Sequence, residues 1–282
     1  LNFFRHLITY FAAKNAILLD IQFIQAVGDG HVFFIPQCDS TQQEIQRFIA
    51  AGAMGLVAGG KPIALYTHFQ HQGVGQRGSN WNSQSGMNAL CTVAFPLDPK
   101  KEFDFVAVNK ALSASVALAV GKLVGEKVDI KWPNDLLYRD VKLGGMLMET
   151  TQIGPKKYLL LGLGVNVNQT EFPQAVAATS LVQIASADLA QHFNIESVVM
   201  SNLLALLDAW HHTSFYATQY DDLLYKRNET SEFLDVKTGV SFSAVLKEVN
   251  HLGQVCLELA NGERLVYHHG QVRMNYVNTS KN

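Results

Sequence analysis

Between Gln70 and Trp81 the chain places Gly73, Gly75 and Gly78 within six residues, beside Arg77 and four side-chain amides, with almost no aliphatic surface. A segment this polar contributes little to a core. Glycine lets backbone reach left-handed conformations and approach a ligand closely, at an entropic cost that ordinary loops avoid. The stretch therefore reads as a loop that closes over something bound. Taken alone it reads equally as a surface hairpin, because glycine-rich patterns recur without ligands.

A hydrophobic content of 48% and a charged content of 16% describe a chain with an ample core and not a disordered one. At 282 residues it holds one sizeable domain and a small one. The net charge of -2 and the pI near 6.6 give no basic footprint for nucleic acid. Cys38, Cys91 and Cys256 are odd in number, far apart and without a CxxC pair, which argues against a disulfide framework and for a reducing compartment. No uncharged apolar run approaches the length of about 18 residues that suggests a membrane span. Arg5, His6, Lys14, Asn15 and Asp20 interrupt the apolar N-terminal stretch, and no cleavage site follows it. The expectation is a soluble, cytoplasmic protein without membrane or nucleic-acid partners. The chain begins at Leu1, which leaves the native start open.

Residues 1 to 35 predict a helix-compatible stretch and a strand over His31 to Ile35, too little for a winged-helix module. Asp39-Ser40-Thr41 then precedes a helix whose apolar face is Ile45, Phe48 and Ile49; Thr41 and Glu44 have capping-box spacing, so the hydroxyls read as caps. A strand over Lys61 to Phe69 leads into the glycine-rich loop. Ala89 to Phe95 predicts a buried strand ended by Pro96, and Asp104 to Leu123 a long core helix. In Val128 to Asp135 a strand arrives and Pro133 stops its ladder, leaving Asn134 and Asp135 at its exit. Lys142 to Glu149 returns as the second arm of a hairpin turning at Arg139 and Asp140, so Lys131, Lys142 and Asp135 converge. As an ordinary hairpin, the same segment would send both lysines to solvent. Tyr158 to Val167 is a further strand closing on Asn166 and Asn168. Helical patterns follow around Leu181 to His192 and from Val199 to Trp210. Beyond Lys226, alternating Val240, Phe242, Ala244 and Leu246, with Leu257, Leu259 and an Asn261-Gly262 turn, predicts a small β-barrel.

Together, Asp39-Ser40-Thr41, the loop ending in Arg77-Gly78-Ser79-Asn80-Trp81, Lys131-Trp132-Pro133-Asn134-Asp135, Lys142 to Glu149 and Gly164-Val165-Asn166-Val167-Asn168 resemble, in order and spacing, the biotin protein ligases. The resemblance covers roughly residues 30 to 275 and looks like the short form without an N-terminal DNA-binding domain. It implies an α+β fold: a mixed β-sheet flanked by helices, class II synthetase-like, over residues 1–226, and a C-terminal SH3-like β-barrel over 227–282. The implied reaction joins biotin and ATP, with Mg2+, into biotinyl-5'-adenylate, then passes biotin to a lysine of a biotin carboxyl carrier protein or carboxylase biotinyl domain; a homodimer is possible. Two anions, a carboxylate and the α-phosphate, must be held together, which fixed cations in a dry site achieve.

Residue by residue, the resemblance puts Ser40, Thr41 and Gln42 on the biotin ring and Gln70 near its ureido group. Gly73, Val74, Gly75 and Gln76 belong to the loop that folds over biotin. Lys142 meets the carboxyl or anhydride oxygens, and Gly145 leaves room for ligand. Arg77, Gly78, Trp81, Lys131, Asn134 and Asn166 fall on the ATP and adenylate side. Lys142, Lys131, Asp135 and Arg77 are the candidate catalytic set, with Asp135 a possible metal ligand. Many relatives carry cations where this chain has Val74, Gln76 and Ser79, which bears on phosphate binding and on retention of the intermediate. The competing readings are a lipoate or octanoate protein ligase or transferase and a non-catalytic biotin sensor. The KWPND element favours biotin.

Overall fold

The structure is a computed structural model and describes residues 21–52, 60–173, 177–185 and 193–275. Most of the N-terminal stretch, and residues 186–192 of the expected Leu181 to His192 helix, lie outside these. Eight strands form one mixed sheet: β1 (Gln22–Val27), β2 (Gly30–Cys38), β3 (Ile63–Gln70), β4 (Asn88–Leu97), β5 (Asp129–Lys131), β6 (Asp135–Tyr138), β7 (Val141–Ile153) and β8 (Lys156–Asn166). Their order across the sheet is β1-β2-β3-β4-β8-β7-β6-β5. Only β2 and β3 run parallel; every other neighbouring pair is antiparallel.

Alternation along the central strands sends successive side chains to opposite faces. Phe33, Ile35, Ile63, Leu65, Ala94 and Leu160 meet Ile45, Phe48 and Ile49 of α1 (Thr41–Ala50) on one face. Val32, Ala64, Tyr66, Val93, Phe95, Leu159 and Leu161 build the larger core on the other. That second face is covered by α2 (Phe105–Val124) and by α4 (Ile195–His211), with a short α3 (Leu181–Ile184) before α4 and α5 (Thr213–Gln219) after it. Helix α2 starts where the Asp104 carboxylate accepts from the Ala107 N–H and stops at Gly125 in the left-handed region. Among the described residues it is the one helix long and apolar enough to cross a membrane, but over half of its apolar window is buried in the protein and it serves as the core helix.

Strand β4 differs from expectation by running through Pro96 to Leu97. The β3 ladder ends at Ala94, so no neighbour on that side lacks the missing N–H, while Pro96 still faces Tyr158 of β8.

The C-terminal strands β9 (Thr230–Asp235), β10 (Ser241–Val249), β11 (Val255–Glu258), β12 (Arg264–Tyr267) and β13 (Val272–Met274) correct the expectation of an SH3-like barrel. They form an open antiparallel sheet in the order β12-β11-β10-β9-β13, and β12 and β13 share no ladder that would close it. Period-two alternation reports one buried face per strand, a condition that an open sheet laid on a neighbour meets as well as a closed barrel does. Here Phe233, Leu246, Val255 and Leu257 join the large core, and the Trp132 indole donates to the Gly253 carbonyl at 3.2 Å.

Candidate active site

The register of β7, β8 and β4 places small residues side by side on the α1 face, beyond the reach of the helix. Gly145 pairs with Gly164, Leu147 with Gly162, and Gly162 in turn with Thr92. Because α1 covers Ala94 and Leu160 but not this end, the step down to threonine and glycine leaves a cavity of about 200 Å³. The N-terminus of α1 forms one wall. Its N-cap, Ser40, makes no side-chain capping bond. Thr41 instead donates both its N–H (2.8 Å) and its hydroxyl (3.1 Å) to Gln70 Oε1, across to the end of β3. The expectation that these hydroxyls are helix caps is therefore not met; they are turned into the cavity wall.

The glycine-rich loop forms the roof and is braced by its own backbone. The Gly75 N–H donates to Ser79 O (2.6 Å), that of Ser79 to Gln76 O (3.0 Å) and that of Trp81 to Gly73 O (2.8 Å). A Cβ at Gly73 would lie 2.5 Å from Trp81 O, so that glycine is required by close approach, and one at Gly75 would lie 2.5 Å from Ser79 Oγ, which would have to turn away. Gly78 sits at φ 75°. The loop is latched to the KWPND segment: Gln76 donates to Asn134 Oδ1, and Asn134 to the Met146 carbonyl. The Trp81 ring lies on Gly164.

At the far end, β6 and β7 bring Asp135 and Lys142 together. Lys142 Nζ is 2.7 Å from Asp135 Oδ1 and 5.8 Å from the centre of the Trp81 ring. Gly145 fits against both: a Cβ there would lie 3.2 Å from Asp135 Oδ1 and 3.6 Å from Lys142 Nζ. Lys131 lines an adjoining cavity of about 420 Å³ that shares Asp135 and Gln76 with the first. Burial pulls its pKa down to about 8; Asp135 opposes this, while Lys142 and Arg273 of β13 add to it. Three cations against one carboxylate make this end a place for anions.

Of the residues singled out by sequence, Ser40, Thr41, Gln42, Gln70, Val74, Gly75, Gln76, Trp81, Asp135, Lys142 and Gly145 line the first cavity. Gly73 packs against Gln70 and Trp81 just behind it. Asn134 is buried and holds Gln76. Asn166 is also buried and donates to the Thr179 carbonyl at 3.0 Å, supporting the chain after β8 without lining the cavity. The Arg77 side chain lies outside the described structure. Sequence reasoning missed Thr92, Gly162 and Arg273 and gave Glu149 and Gly164, which lie in the matching motifs, no role of their own; the glycines become meaningful only once strand register is known. Among the described residues, no three His, Cys, Asp or Glu side chains converge to hold a metal.

Fold and site define an α+β ligand-binding domain whose pocket runs from a polar amide-lined end to a cation–carboxylate pair under a glycine-rich lid. Residues 37–166, which carry that pocket, match the model of the biotin/lipoate A/B protein ligase family. The bifunctional ligase/repressor BirA of Escherichia coli is 29% identical over 171 residues, 60% of this chain and 50% of its own. The biotin–[acetyl-CoA-carboxylase] ligase of Mycobacterium tuberculosis is 24% identical over 242 residues, 84% of this chain and 86% of its own. Among solved structures, the biotin protein ligase of Aquifex aeolicus in complex with biotin and ATP superposes with a TM-score of 0.67 at 21% identity, covering 87% of this chain and 98% of the other. The chain spans about half the length of the BirA relatives it matches.

Proposed function

We propose that this protein activates biotin with MgATP and transfers it to a lysine of a biotin carboxyl carrier domain. The observation that carries the proposal is the Lys142–Asp135 pair, 2.7 Å apart at the cationic end of a cavity whose other end is built from Thr41, Gln42 and Gln70. The names of the relatives support biotin as the acid. In the first step a carboxylate oxygen attacks the α-phosphorus and pyrophosphate leaves; in the second an amine attacks the acyl carbon, loses its proton, and AMP leaves. Lys142 is a compact charge placed to lower the repulsion between carboxylate and α-phosphate, and Lys131, Asn134 and Arg77 serve the phosphates. Magnesium enters with ATP, since it is usually held by one or two carboxylates together with substrate phosphates; Asp135 fits that part. Gly73 to Gln76 close over the acid, Gly78 and Trp81 over the adenylate, and Asn166 braces the adenylate side. We assign the first function to residues 1–226 and treat 227–282 as a second unit.

The test is incubation with biotin, MgATP and a biotinyl acceptor domain. A streptavidin-reactive acceptor and biotin-dependent release of pyrophosphate are expected. Absence of both, across several acceptor domains, would overturn the assignment.

A further inference from the structure

The polar end of the cavity holds a chain of hydrogen bonds whose direction follows from chemistry alone. A backbone N–H can only donate, so the Gln70 atom 2.8 Å from the Thr41 N–H is the carbonyl oxygen. The Thr41 hydroxyl, 3.1 Å from that same oxygen, must then donate to it as well. With its one proton spent, Thr41 Oγ1 can only accept from Thr92 Oγ1 at 2.8 Å. Thr92 is wholly buried, on β4 in the middle of the sheet. A second branch meets it there. A carboxylate accepts, so Gln42 turns its Nε2 to Glu149 Oε2 at 3.3 Å and its Oε1 back toward Thr92, also at 3.3 Å. Gly162 leaves the space for that oxygen; a Cβ there would stand 2.8 Å from it.

We propose that Thr92 is a positioning residue that sets the polarity of acid recognition, holding Thr41, while Glu149 holds Gln42, so that the pocket offers donors at Gln70 and acceptors at Gln42 and Thr92. The proposal rests on the ligase reading above and deepens it. Gln70 Oε1 is saturated by Thr41, which leaves its Nε2–H groups for a ligand carbonyl. Gln42 Oε1 and Thr92 Oγ1 retain lone pairs, because the single Thr92 proton is committed at the shorter distance, and lone pairs meet ligand N–H. A carbonyl flanked by N–H groups is a cyclic urea. A fatty or dithiolane acid, whose far end has neither donor nor acceptor of this kind, would leave these groups unpaired.

Calorimetry with biotin, desthiobiotin and octanoate, and steady-state kinetics, test this on Thr92→Val and Thr92→Ala, with Thr92→Ser as the conservative control. Valine and alanine should weaken biotin and desthiobiotin, which share the urea, about tenfold or more, raising the biotin KM while kcat and the MgATP KM stay at wild-type values. Octanoate affinity should not fall, and serine should restore biotin binding to within about threefold. If wild-type protein binds biotin and the valine and alanine variants bind it equally well, the role of Thr92 is wrong while the ligase reading stands. Equal losses in biotin and octanoate affinity would likewise refute it, by showing general damage. If wild-type protein fails to bind biotin, both are overturned.

Discussion

Gly164 is the position at which one methyl group should report on the lid. In the present packing a Cβ there would stand 2.6 Å from Trp81 Cε2, 2.7 Å from Cζ2 and 3.1 Å from Cδ2. Carbon atoms settle at about 3.5–4.0 Å, so Gly164→Ala requires the indole to retreat by about 1 Å. In a closed core such overpacking costs about 1–3 kcal/mol. Trp81, however, belongs to the loop and not to the sheet, so the strain is released by lifting the lid rather than by unfolding. Lifting also weakens the contact of the ring with Lys142, 5.8 Å away, a cation–π interaction of about 0.5–1 kcal/mol at such a site.

The expected outcome is a melting temperature close to that of the wild type and a release of the acyl-adenylate faster by about tenfold, equivalent to about 1.4 kcal/mol. Single-turnover transfer after rapid dilution measures that rate. Trp81→Ala supplies the control, because removing the ring removes the clash: adding Gly164→Ala to it should change nothing further. A double variant that loses retention again by the same factor would refute the reasoning, as would a Gly164→Ala protein that retains the adenylate like the wild type.

Two further predictions concern the lysines. Lys142→Ala should lower biotin-dependent pyrophosphate release by about 10²-fold or more, because it removes a cation and leaves Asp135 facing two substrate anions; unchanged release would identify a different lysine as the one that matters. For Lys131, with a folded pKa of about 8 against the ordinary lysine value of 10.5, the unfolded chain holds a proton between those values that the folded chain lacks. Stability should therefore rise with pH across that window relative to Lys131→Met, while the MgATP KM should rise as pH passes about 8 and the charge is lost. Parallel pH profiles of wild type and Lys131→Met would contradict this.

How far the sequence reveals the site depends on which contacts are local. The hairpin carrying Asp135 and Lys142 is legible because its arms are neighbours in the chain, turning at Arg139 and Asp140. The start of α2 is legible because Asp104 caps a bond three residues away. Ser40 and Thr41 are ambiguous for a physical reason: a hydroxyl at a helix start serves a cap or a ligand equally well, and only the distance to Gln70, 29 residues on, decides. The cavity floor is less legible still. Thr92 and Gly162 are ordinary strand residues until β4, β8 and β7 are in register, and the openness of the C-terminal sheet depends on what lies under it, which alternation does not encode.

The lid raises the remaining question, since Val74 and Ser79 stand where the resemblance to the biotin protein ligases implies cations. Ser79 is exposed, in an extended conformation that any residue adopts, and its hydroxyl donates to Gln76 O at 2.8 Å. The lid also has backbone bonds of its own at Gly75, Ser79 and Trp81, none of which needs the serine side chain. Ser79→Arg should therefore leave the loop folded, at a cost of about 1 kcal/mol or less for the lost exposed hydrogen bond, and add a cation at the mouth of a cavity that already gathers Lys142 and Asp135. If charge is what limits retention, the variant should lower the MgATP KM and slow adenylate release severalfold, and both gains should shrink at high salt because the group is exposed. A variant that folds but retains the adenylate no longer than the wild type would show that the backbone brace and the Trp81–Gly164 contact, rather than charge, set the lifetime of the bound intermediate.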